Sequence, residues 1–517
     1  MPKPSFHSSP TSNFSASVAG KKPEANPPSR VLIIGVGAAG LAAAERVRQA
    51  GLLPVVIEAR NRIGGRVWTV QEGFDLGASW IQGSSGNPLC ALAQRAGAQI
   101  FNFDFKNRLR FRPGGVLTRN QDEQIDQEFQ RLEAWISEQQ NDASSSAALD
   151  NALQNYCDQL SISARTDLQY AIRTNILLEY AADSQDLSLE YFDEGEEHRG
   201  ANLMLPEGYA KLLFPLQNED EIHLGHEVRS IDWTGCPIKV QSQQATFFGD
   251  FAIITLPLGV LKADTVNFIP PLPKNHRRAI QSLGFGTLNK LILKFPNIFW
   301  PPEKHLFGFV GDGCWEEWIN LFPVTGTPAL MGFSSGHHAE AMEKMTDHQI
   351  CQSAMETLRQ IFGPSLPDPI KVIATRWKRD PYSLGSYSAY APGSTPADRA
   401  ALAAPISNRI TLAGEACSLA HPSTVHGAIE SGRQAADLIL DSASQISKNH
   451  PRDRSKSPNK HPSGCTQQGT DSKEAEQSGI LRKHATETNR FAQIGGWMAH
   501  QNPPQPMPEC FEKAHCL

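Results

Sequence analysis

The sequence predicts a mixed α/β fold in which a Rossmann-type dinucleotide-binding domain is interleaved with a second domain built from a sheet and helices. Three observations lead to this prediction. A strand-like run enters a glycine-rich turn and a helix near the start of the chain, further strand-like runs recur far along it, and residues 121–139 and 148–171 carry the apolar stripes of helices. With 517 residues, 40% of them hydrophobic and 20% charged, the chain is long enough for two globular domains.

The glycine-rich turn lies between an apolar strand, residues 30–34, and an Ala-rich helix predicted over residues 39–50. Gly35 allows a tight turn, Gly37 lets the backbone approach a pyrophosphate, and Gly40 lets the helix pack closely on the strand. The sequence therefore predicts a phosphate site at the start of this helix.

A second predicted strand, residues 54–57, delivers Glu58 at a point 18 residues beyond Gly40. A carboxylate there can accept hydrogen bonds from ribose hydroxyls, while the first helical N–H groups, around Ala39, face phosphate. Because strand, turn, helix, second strand and acid agree, we expect a dinucleotide site rather than a chance turn.

The segment that follows Glu58 indicates which dinucleotide is bound. It carries two cations and two glycines that would neutralise and closely approach a pyrophosphate or adenine, namely Arg60, Gly64, Gly65 and Arg66. A surface turn with solvated arginines is the plain alternative. The run Glu-Ala-Arg-Asn-Arg-Ile-Gly-Gly-Arg-Val resembles the second signature of the flavin-containing amine oxidase family, and this resemblance implies FAD.

Three more segments resemble that family. Residues 76–83 are similar to its segment along the flavin, and residues 255–261 to the strand and turn where the chain leaves the FAD domain. Residues 412–416 and 422–432 are similar to its C-terminal flavin segment. A helix is predicted to begin near Thr424, with Thr424 or Ser423 as its cap. Further FAD contacts are expected at Gly77, Ala78, Ser79, Trp80, Val228, Gly414, Glu415, Thr424 and Val425.

The chemistry is expected at Lys290, Trp377 and Tyr387. Strand alternation turns Lys290 and Lys294 to one face of an apolar strand over residues 289–295, where a strand-end lysine that reaches water is the plain alternative. The resemblance implies that Lys290 holds a water near flavin N5, that Trp377 packs beside the flavin, and that Tyr387 forms a wall of the substrate channel. Core packing by the two aromatic residues is their plain alternative.

The substrate side is expected at Gln82, Tyr387 and Thr424. Ser386 precedes Tyr387 where some relatives carry a flavin-linked cysteine, so we expect non-covalent FAD. Thr424 replaces a second family tyrosine, which favours the polyamine-oxidase or lysine-demethylase branches. The acidic run 193–198 could attract a polycation, although such a run is more often a solvated loop.

The domain boundaries follow from composition and from the motifs. We predict a disordered arm, 1–29, and a disordered tail, 442–517, in which 491–498 is an apolar patch. The FAD-binding parts are 30–95, 221–265 and 376–441. The substrate-domain parts are 96–220, which is mainly helical, and 266–375. Strands are predicted at 226–233, 251–255, 289–295, 371–377 and 410–413.

Net charge, apolar runs and cysteine spacing exclude several classes of binding partner. A net charge of −6 argues against a general nucleic-acid binder, no apolar run is long enough to span a bilayer, and the scattered cysteines predict neither a metal site nor a redox dithiol. We expect a cytoplasmic protein, with the N-terminal arm as a candidate targeting segment, acting on a small cationic amine and O₂. Its oligomeric state stays open.

The expected activity is amine oxidation with hydride transfer from the amine α-carbon to the flavin, release of an aldehyde and reduction of O₂ to H₂O₂. A polyamine is the first choice of substrate. An L-amino-acid or other primary-amine oxidase is the alternative, and Arg173 or Arg199 would then clamp a carboxylate. A histone demethylase is expected less, because no long helical insertion interrupts the core. Two further hypotheses are a flavin-binding scaffold without activity and a carotenoid-desaturase-like flavoprotein.

Overall fold

The computed structural model describes residues 29–218, 220–311 and 315–449. In chain order, its strands are β1 (Arg30–Ile34), β2 (Leu53–Ile57), β3 (Thr69–Val70), β4 (Phe74–Asp75), β5 (Phe101–Phe103), β6 (Arg108–Arg112), β7 (Gly115–Val116), β8 (Asn202–Met204), β9 (Glu221–His223), β10 (Val228–Asp232), β11 (Ile238–Ser242), β12 (Thr246–Gly249), β13 (Phe251–Ile254), β14 (Asn267–Ile269), β15 (Gly284–Gly286), β16 (Leu288–Lys294), β17 (Leu306–Phe309), β18 (Glu317–Asn320), β19 (Ala329–Ser335), β20 (Lys371–Ala374), β21 (Tyr387–Ala389) and β22 (Ile410–Leu412).

The helices are α1 (Ala38–Gln49), α2 (Pro88–Arg95), α3 (Arg119–Gln140), α4 (Leu149–Cys157), α5 (Ile162–Ile172), α6 (Leu178–Tyr180), α7 (Leu258–Lys262), α8 (Lys274–Ser282), α9 (Phe322–Thr325), α10 (Gly336–Met342), α11 (Asp347–Phe362), α12 (Pro396–Ala403) and α13 (Val425–Asn449). A π-helical turn, Arg173–Leu177, joins α5 to α6. Among the described residues, none of these helices combines the length and the apolar content that a bilayer crossing requires.

A parallel five-stranded sheet, in the order β22-β13-β1-β2-β9, forms the centre of the nucleotide-binding part. The apolar run of β1 is buried because both faces of the sheet are covered. Val31 and Ile33 pack on one face, against α1 and α13, while Leu32 and Ile34 pack on the other. That second face is covered by the four-stranded sheet β12-β11-β10-β14 and by residues of α8 and α12.

The other large sheet has seven strands in the order β20-β16-β19-β18-β17-β6-β7. Helix α11 covers one of its faces through Ile350, Met355 and Leu358. Helices α3, α4 and α5 form a separate apolar cluster beside it. In the short pair β15–β21, Tyr387 lies opposite Gly286. Gly286 comes just before the start of β16, so this pairing places Tyr387 next to the seven-stranded sheet.

The mixed α/β class predicted from the sequence is confirmed, and each predicted strand corresponds to an observed one. Strands of the parallel sheet come from residues 30–57, 221–254 and 410–412, which is the interleaving that the motifs predicted. The run 371–377 is shorter than expected, because β20 ends at Ala374.

Two predicted boundaries are wrong. The single helix predicted over 148–171 is two helices, because α4 ends at Cys157 and α5 begins at Ile162. The Ser161 side chain caps α5 by accepting a hydrogen bond from Ala164 N. The tail predicted from residue 442 begins later, because α13 continues to Asn449 and Ala443 still packs against the core beside α1. The apolar patch 491–498 lies outside the described residues.

Candidate active site

A cavity of about 1150 Å³ lies between the carboxyl ends of the parallel strands and the seven-stranded sheet. Every residue that the sequence assigned to FAD, to the chemistry or to the amine substrate lines this cavity except Gly40. Gly40 sits behind the wall: a Cβ there would lie 2.0 Å from Gly35 O. Its predicted role, close packing of helix on strand, agrees with this position.

The glycine turn leaves open space where a ligand's phosphates are expected. Gly35 has a φ of +104°, which favours glycine. Gly37 precedes α1, and no side chain in the described ranges caps that helix. A Cβ on Gly37 would meet only Gly64 O, at 3.9 Å, so the helix N-terminus faces an unobstructed part of the cavity and can accept an anion.

Glu58 is fixed by the backbone. Its carboxylate accepts hydrogen bonds from Val36 N at 2.9 Å and from Arg60 N at 2.8 Å. A carboxylate has roughly four lone-pair sites, so Glu58 keeps acceptor capacity for the hydroxyl donors that the sequence predicted.

The two arginines assigned to phosphate are paired within the protein. Arg60 binds both oxygens of Asp380, at 2.7 and 2.8 Å, and Arg66 donates to Glu415 and to Ser386 O, each at 2.8 Å. Both partners lie more than 300 residues away along the chain. The net positive charge beside the glycine turn is therefore smaller than the sequence indicated.

Glu415 is buried where β22 leads toward α13. Burial alone would raise its pKa, but the Arg66 guanidinium and a hydrogen bond from Ser388 hold the pKa below its ordinary value. The carboxylate is therefore ionised and anchors Arg66 on the cavity wall.

Lys290 lies on β16 with only 4% of its surface exposed. Its ammonium donates to Asp75 O at 3.1 Å and to Gly77 O and Ser79 Oγ at 2.5 Å each. Burial lowers the pKa of Lys290, and the Asp75 carboxylate opposes that shift. An ammonium has three N–H donors, and protein atoms accept all three here. Lys294 shares the face and pairs with the more exposed Glu72.

Aromatic side chains surround this lysine. The Lys290 Nζ lies 5.6 Å from the Trp80 ring centroid, and Trp377 is buried and donates from Nε1 to Leu76 O at 3.2 Å. Trp80 Nε1 is buried and has no hydrogen-bond partner within the described part of the chain. A buried donor of this kind on a cavity wall indicates an acceptor on a ligand.

The predicted substrate residues lie on the same cavity. The Tyr387 hydroxyl donates to Leu178 O at 3.0 Å, and the Gln82 side chain hydrogen-bonds Glu179. Thr424 caps α13, because its Oγ1 accepts from Gly427 N at 3.0 Å; this cap was predicted.

Sequence reasoning missed one acid and left the position of a group of others open. Glu179 follows the π-helical turn and lines the cavity beside Tyr387, where burial raises its pKa to about 7. The acidic run 193–198, for which the sequence left a solvated loop and a polycation-attracting role open, also lines the cavity. Its Glu197 is solvent-exposed, yet the surrounding protein and the carboxylates of Glu179 and Asp193 raise the Glu197 pKa to about 8. The run was visible in the sequence, whereas nothing there predicted the position of Glu179.

The two arginines considered for a carboxylate clamp are placed differently. Arg173 pairs with Glu316 and is not part of the cavity wall. Arg199 lines the cavity but directly follows the acidic run and is exposed. The arrangement therefore favours a cationic ligand over a carboxylate.

Comparison with known proteins agrees with the family resemblance found in the sequence. The family model described as flavin containing amine oxidoreductase matches residues 38–440. Lysine-specific histone demethylase 1 homolog 1 of Oryza sativa subsp. japonica is 32% identical over 450 residues, which cover 81% of this chain and 53% of that protein. Polyamine oxidase 2 of Arabidopsis thaliana is 32% identical over 448 residues, covering 81% of this chain and 89% of that protein.

The chain thus spans about half the length of the first of these relatives and most of the second. Among solved structures, a double mutant of putrescine oxidase made for the redesign of its cofactor binding superposes with a TM-score of 0.67 at 18% identity. The superposition covers 80% of this chain and 99% of that one, which shows a shared fold.

The Arg66–Glu415 pair gives a pH-dependent prediction. Glu415→Gln should destabilise the protein by about 1–3 kcal/mol near neutral pH, because a buried charged hydrogen bond is lost. Since the folded-state pKa is lowered, the wild-type stabilisation is present above the unfolded pKa and is lost as pH falls through the folded value. Thermal unfolding at about pH 7 and pH 4 should therefore show a difference that shrinks on acidification.

The control is Glu221→Gln, which removes the exposed pair with Arg30 and should change stability little. An equal effect of both substitutions at neutral pH would contradict the role given to burial.

Proposed function

This chain belongs to the flavin containing amine oxidoreductase family, and we propose that it is an FAD-dependent oxidase of polyamines such as spermine and spermidine. One observation carries the proposal: a single cavity contains an uncapped glycine turn, a lysine beside an aromatic wall, and a group of carboxylates. The first suits a dinucleotide, the second a redox ring, and the third a cationic substrate.

The residues present fit FAD. Gly37 leaves room for phosphate at the start of α1, Glu58 has acceptor capacity for ribose, and Trp80 Nε1 offers an unpaired donor. Val425 begins α13, whose positive end suits a ring that accumulates negative charge. When bound, FAD supplies the two-electron oxidation of the amine's carbon–nitrogen bond. Ser386 and Tyr387 carry no thiol for a covalent link here, which supports non-covalent binding.

The chain's own residues would bind and orient the amine. Glu179 and Gln82 would hold an ammonium group of the substrate, while Tyr387 would fix the wall beside it. Lys290 would act as a positioning residue, because its ammonium holds residues 75–79, and it could hand a proton to the site if one of its three hydrogen bonds opens. Taken as a whole reaction, a secondary amine, O₂ and water would give an aldehyde, a primary amine and H₂O₂.

A lysine demethylase is the second candidate, because the identity to the demethylase relative equals that to the polyamine oxidase. A methylated lysine side chain is also a cation that suits Glu179 and the acidic run. An amino-acid oxidase is less supported, because Arg173 is paired with Glu316. The scattered cysteines support a cytoplasmic location, which remains a proposal.

The proposal is tested with a substrate panel. Purified holoprotein should lose its flavin absorbance anaerobically with spermine or spermidine and should release H₂O₂ in air. A monoamine, L-amino acids and a peptide with N-methylated lysine complete the panel. Reduction only by the methylated peptide would favour the demethylase, reduction only by amino acids would refute the cation site, and no reduction by any of them would indicate a non-catalytic flavoprotein.

The role of Lys290 is tested with Lys290→Met. Removing a group that positions the wall or moves a proton should lower amine turnover by about 100-fold, with flavin still bound. Lys294→Met is the matched control, because Lys294 lies on the same face of β16 but pairs with Glu72 near the surface. Equal turnover of the two variants would contradict the proposed role.

The substrate cation is tested with Glu179→Gln. Loss of a charged partner should raise KM for spermine about ten-fold or more and change kcat less. Because the Glu179 pKa is raised to about 7, its carboxylate forms as pH rises through that value, so wild-type KM should fall over the same interval and the variant should respond less. Glu123→Gln, at an exposed site of α3, is the control; an unchanged KM in Glu179→Gln would place the cation elsewhere.

A further inference from the structure

Three histidines meet beside the cavity, and none has a role in the proposed oxidation. His198 ends the acidic run, His421 belongs to the turn before α13, and His426 to the first turn of α13. One ring nitrogen from each lies within 4.8 Å of the others. The ring centroids are 4.7 Å apart for His198 and His421, 4.7 Å for His421 and His426, and 5.0 Å for His198 and His426.

The local backbone holds the three rings together. Glu196 N donates to Ala420 O at 2.6 Å, and His421 Nδ1 lies 2.8 Å from Glu196 O. A carbonyl can only accept, so Nδ1 carries the proton and Nε2 keeps its lone pair. Gly427 lets the turn close on α13, because a Cβ there would lie 1.9 Å from His421 O. A carbonyl behind an imidazole is the usual support of a metal-binding histidine.

Two of the rings lack hydrogen-bond partners among the residues that the structure describes. His426 is only 5% exposed, lines the cavity, and makes no hydrogen bond to the residues that the structure describes. His198 Nε2 is buried and likewise unpaired within those residues. Buried polar groups normally have a partner, and a group of neutral imidazoles is a typical ligand set for Zn²⁺.

A fourth ligand is available from the same helix. Glu430 lies four residues after His426 on α13, so the two side chains share a helix face. Its carboxylate oxygen is 3.9 Å from His421 Nε2, and the side chain is partly exposed, which leaves a route for the ion.

We propose that His198, His421 and His426 bind one Zn²⁺ ion, with Glu430 as the fourth ligand. A tetrahedral site needs ligand atoms roughly 3.4 Å apart, from bonds of about 2.0–2.1 Å. The three ring nitrogens lie within 4.8 Å of one another, and Glu430 lies outside that group, so the rings and the Glu430 side chain close on the ion when it binds. The ion ties the acidic run 193–198 to the start of α13. Both of these segments line the cavity, so the site controls the position of the carboxylates there.

The test measures binding directly. The full-length holoprotein is treated with a chelator, desalted and titrated with Zn²⁺ at about pH 8, where free imidazoles are neutral, by calorimetry and by metal analysis after dialysis. The wild type should bind one equivalent tightly, and its melting temperature should rise with Zn²⁺. His426→Ala and His198→Ala should each lose the tight equivalent and the thermal shift.

His337→Ala is the matched control. His337, Asp183 and Asp186 form the other His-containing cluster with metal-ligand spacing among the described residues, and this cluster is largely exposed. The control should keep the tight equivalent. Melting curves without metal show whether each variant folds. Absence of a tight equivalent in the wild type, its persistence in both His426→Ala and His198→Ala, or its loss in His337→Ala would each overturn the proposal, whatever the amine oxidation result.

Discussion

The Lys290 ammonium and its three acceptors are the interaction on which the cavity depends. Lys290 belongs to the seven-stranded sheet, whereas its acceptors, in residues 75–79, continue from the segment beside the glycine turn. A buried cation is costly unless its donors are satisfied. The seven-stranded sheet and residues 75–79 must therefore meet in an arrangement that brings three oxygen atoms to Nζ. This arrangement also sets the distance between the glycine turn and the aromatic residues Trp80 and Trp377 on the cavity wall.

Two ion pairs extend this constraint to the last third of the chain. Arg60 with Asp380 and Arg66 with Glu415 join partners separated by 320 and 349 positions. The parallel sheet likewise takes β22 from residues 410–412. The cavity therefore cannot form from the N-terminal part alone. Its glycine turn, its lysine and its aromatic residues come from segments far apart in the sequence, and these segments must fold together. Arginines that the sequence assigned to a ligand are used, in part, to hold this assembly.

These separations explain which features the sequence could predict. The roles of Gly35 and Gly40 depend on backbone space within one turn, and the facing of Lys290 and Lys294 depends on strand alternation, so local reasoning sufficed. The partners of Arg60 and Arg66 lie too far along the chain to be inferred. The acceptors of Lys290 depend on how the seven-stranded sheet meets residues 75–79, which no local pattern predicts. Glu179 reaches the cavity because a π-helical turn precedes it. The end of one helix and the start of the next around Ser161 could not be predicted, because the apolar stripe is continuous through that region.

The positions of charged groups inside the cavity say more about the substrate than the net charge of −6 does. The ammonium of Lys290 lies on one wall, and the carboxyl groups of Glu179 and Glu197 lie on others. Oxidation of an amine requires the reacting nitrogen to be neutral, because a protonated nitrogen holds its lone pair in a bond. A nearby ammonium disfavours a second positive charge, whereas carboxylates favour one. A substrate with several nitrogens can satisfy both conditions at once, neutral beside Lys290 and charged beside Glu179. A single-nitrogen monoamine cannot, and this electrostatic asymmetry is the physical argument for the proposed polyamine substrate.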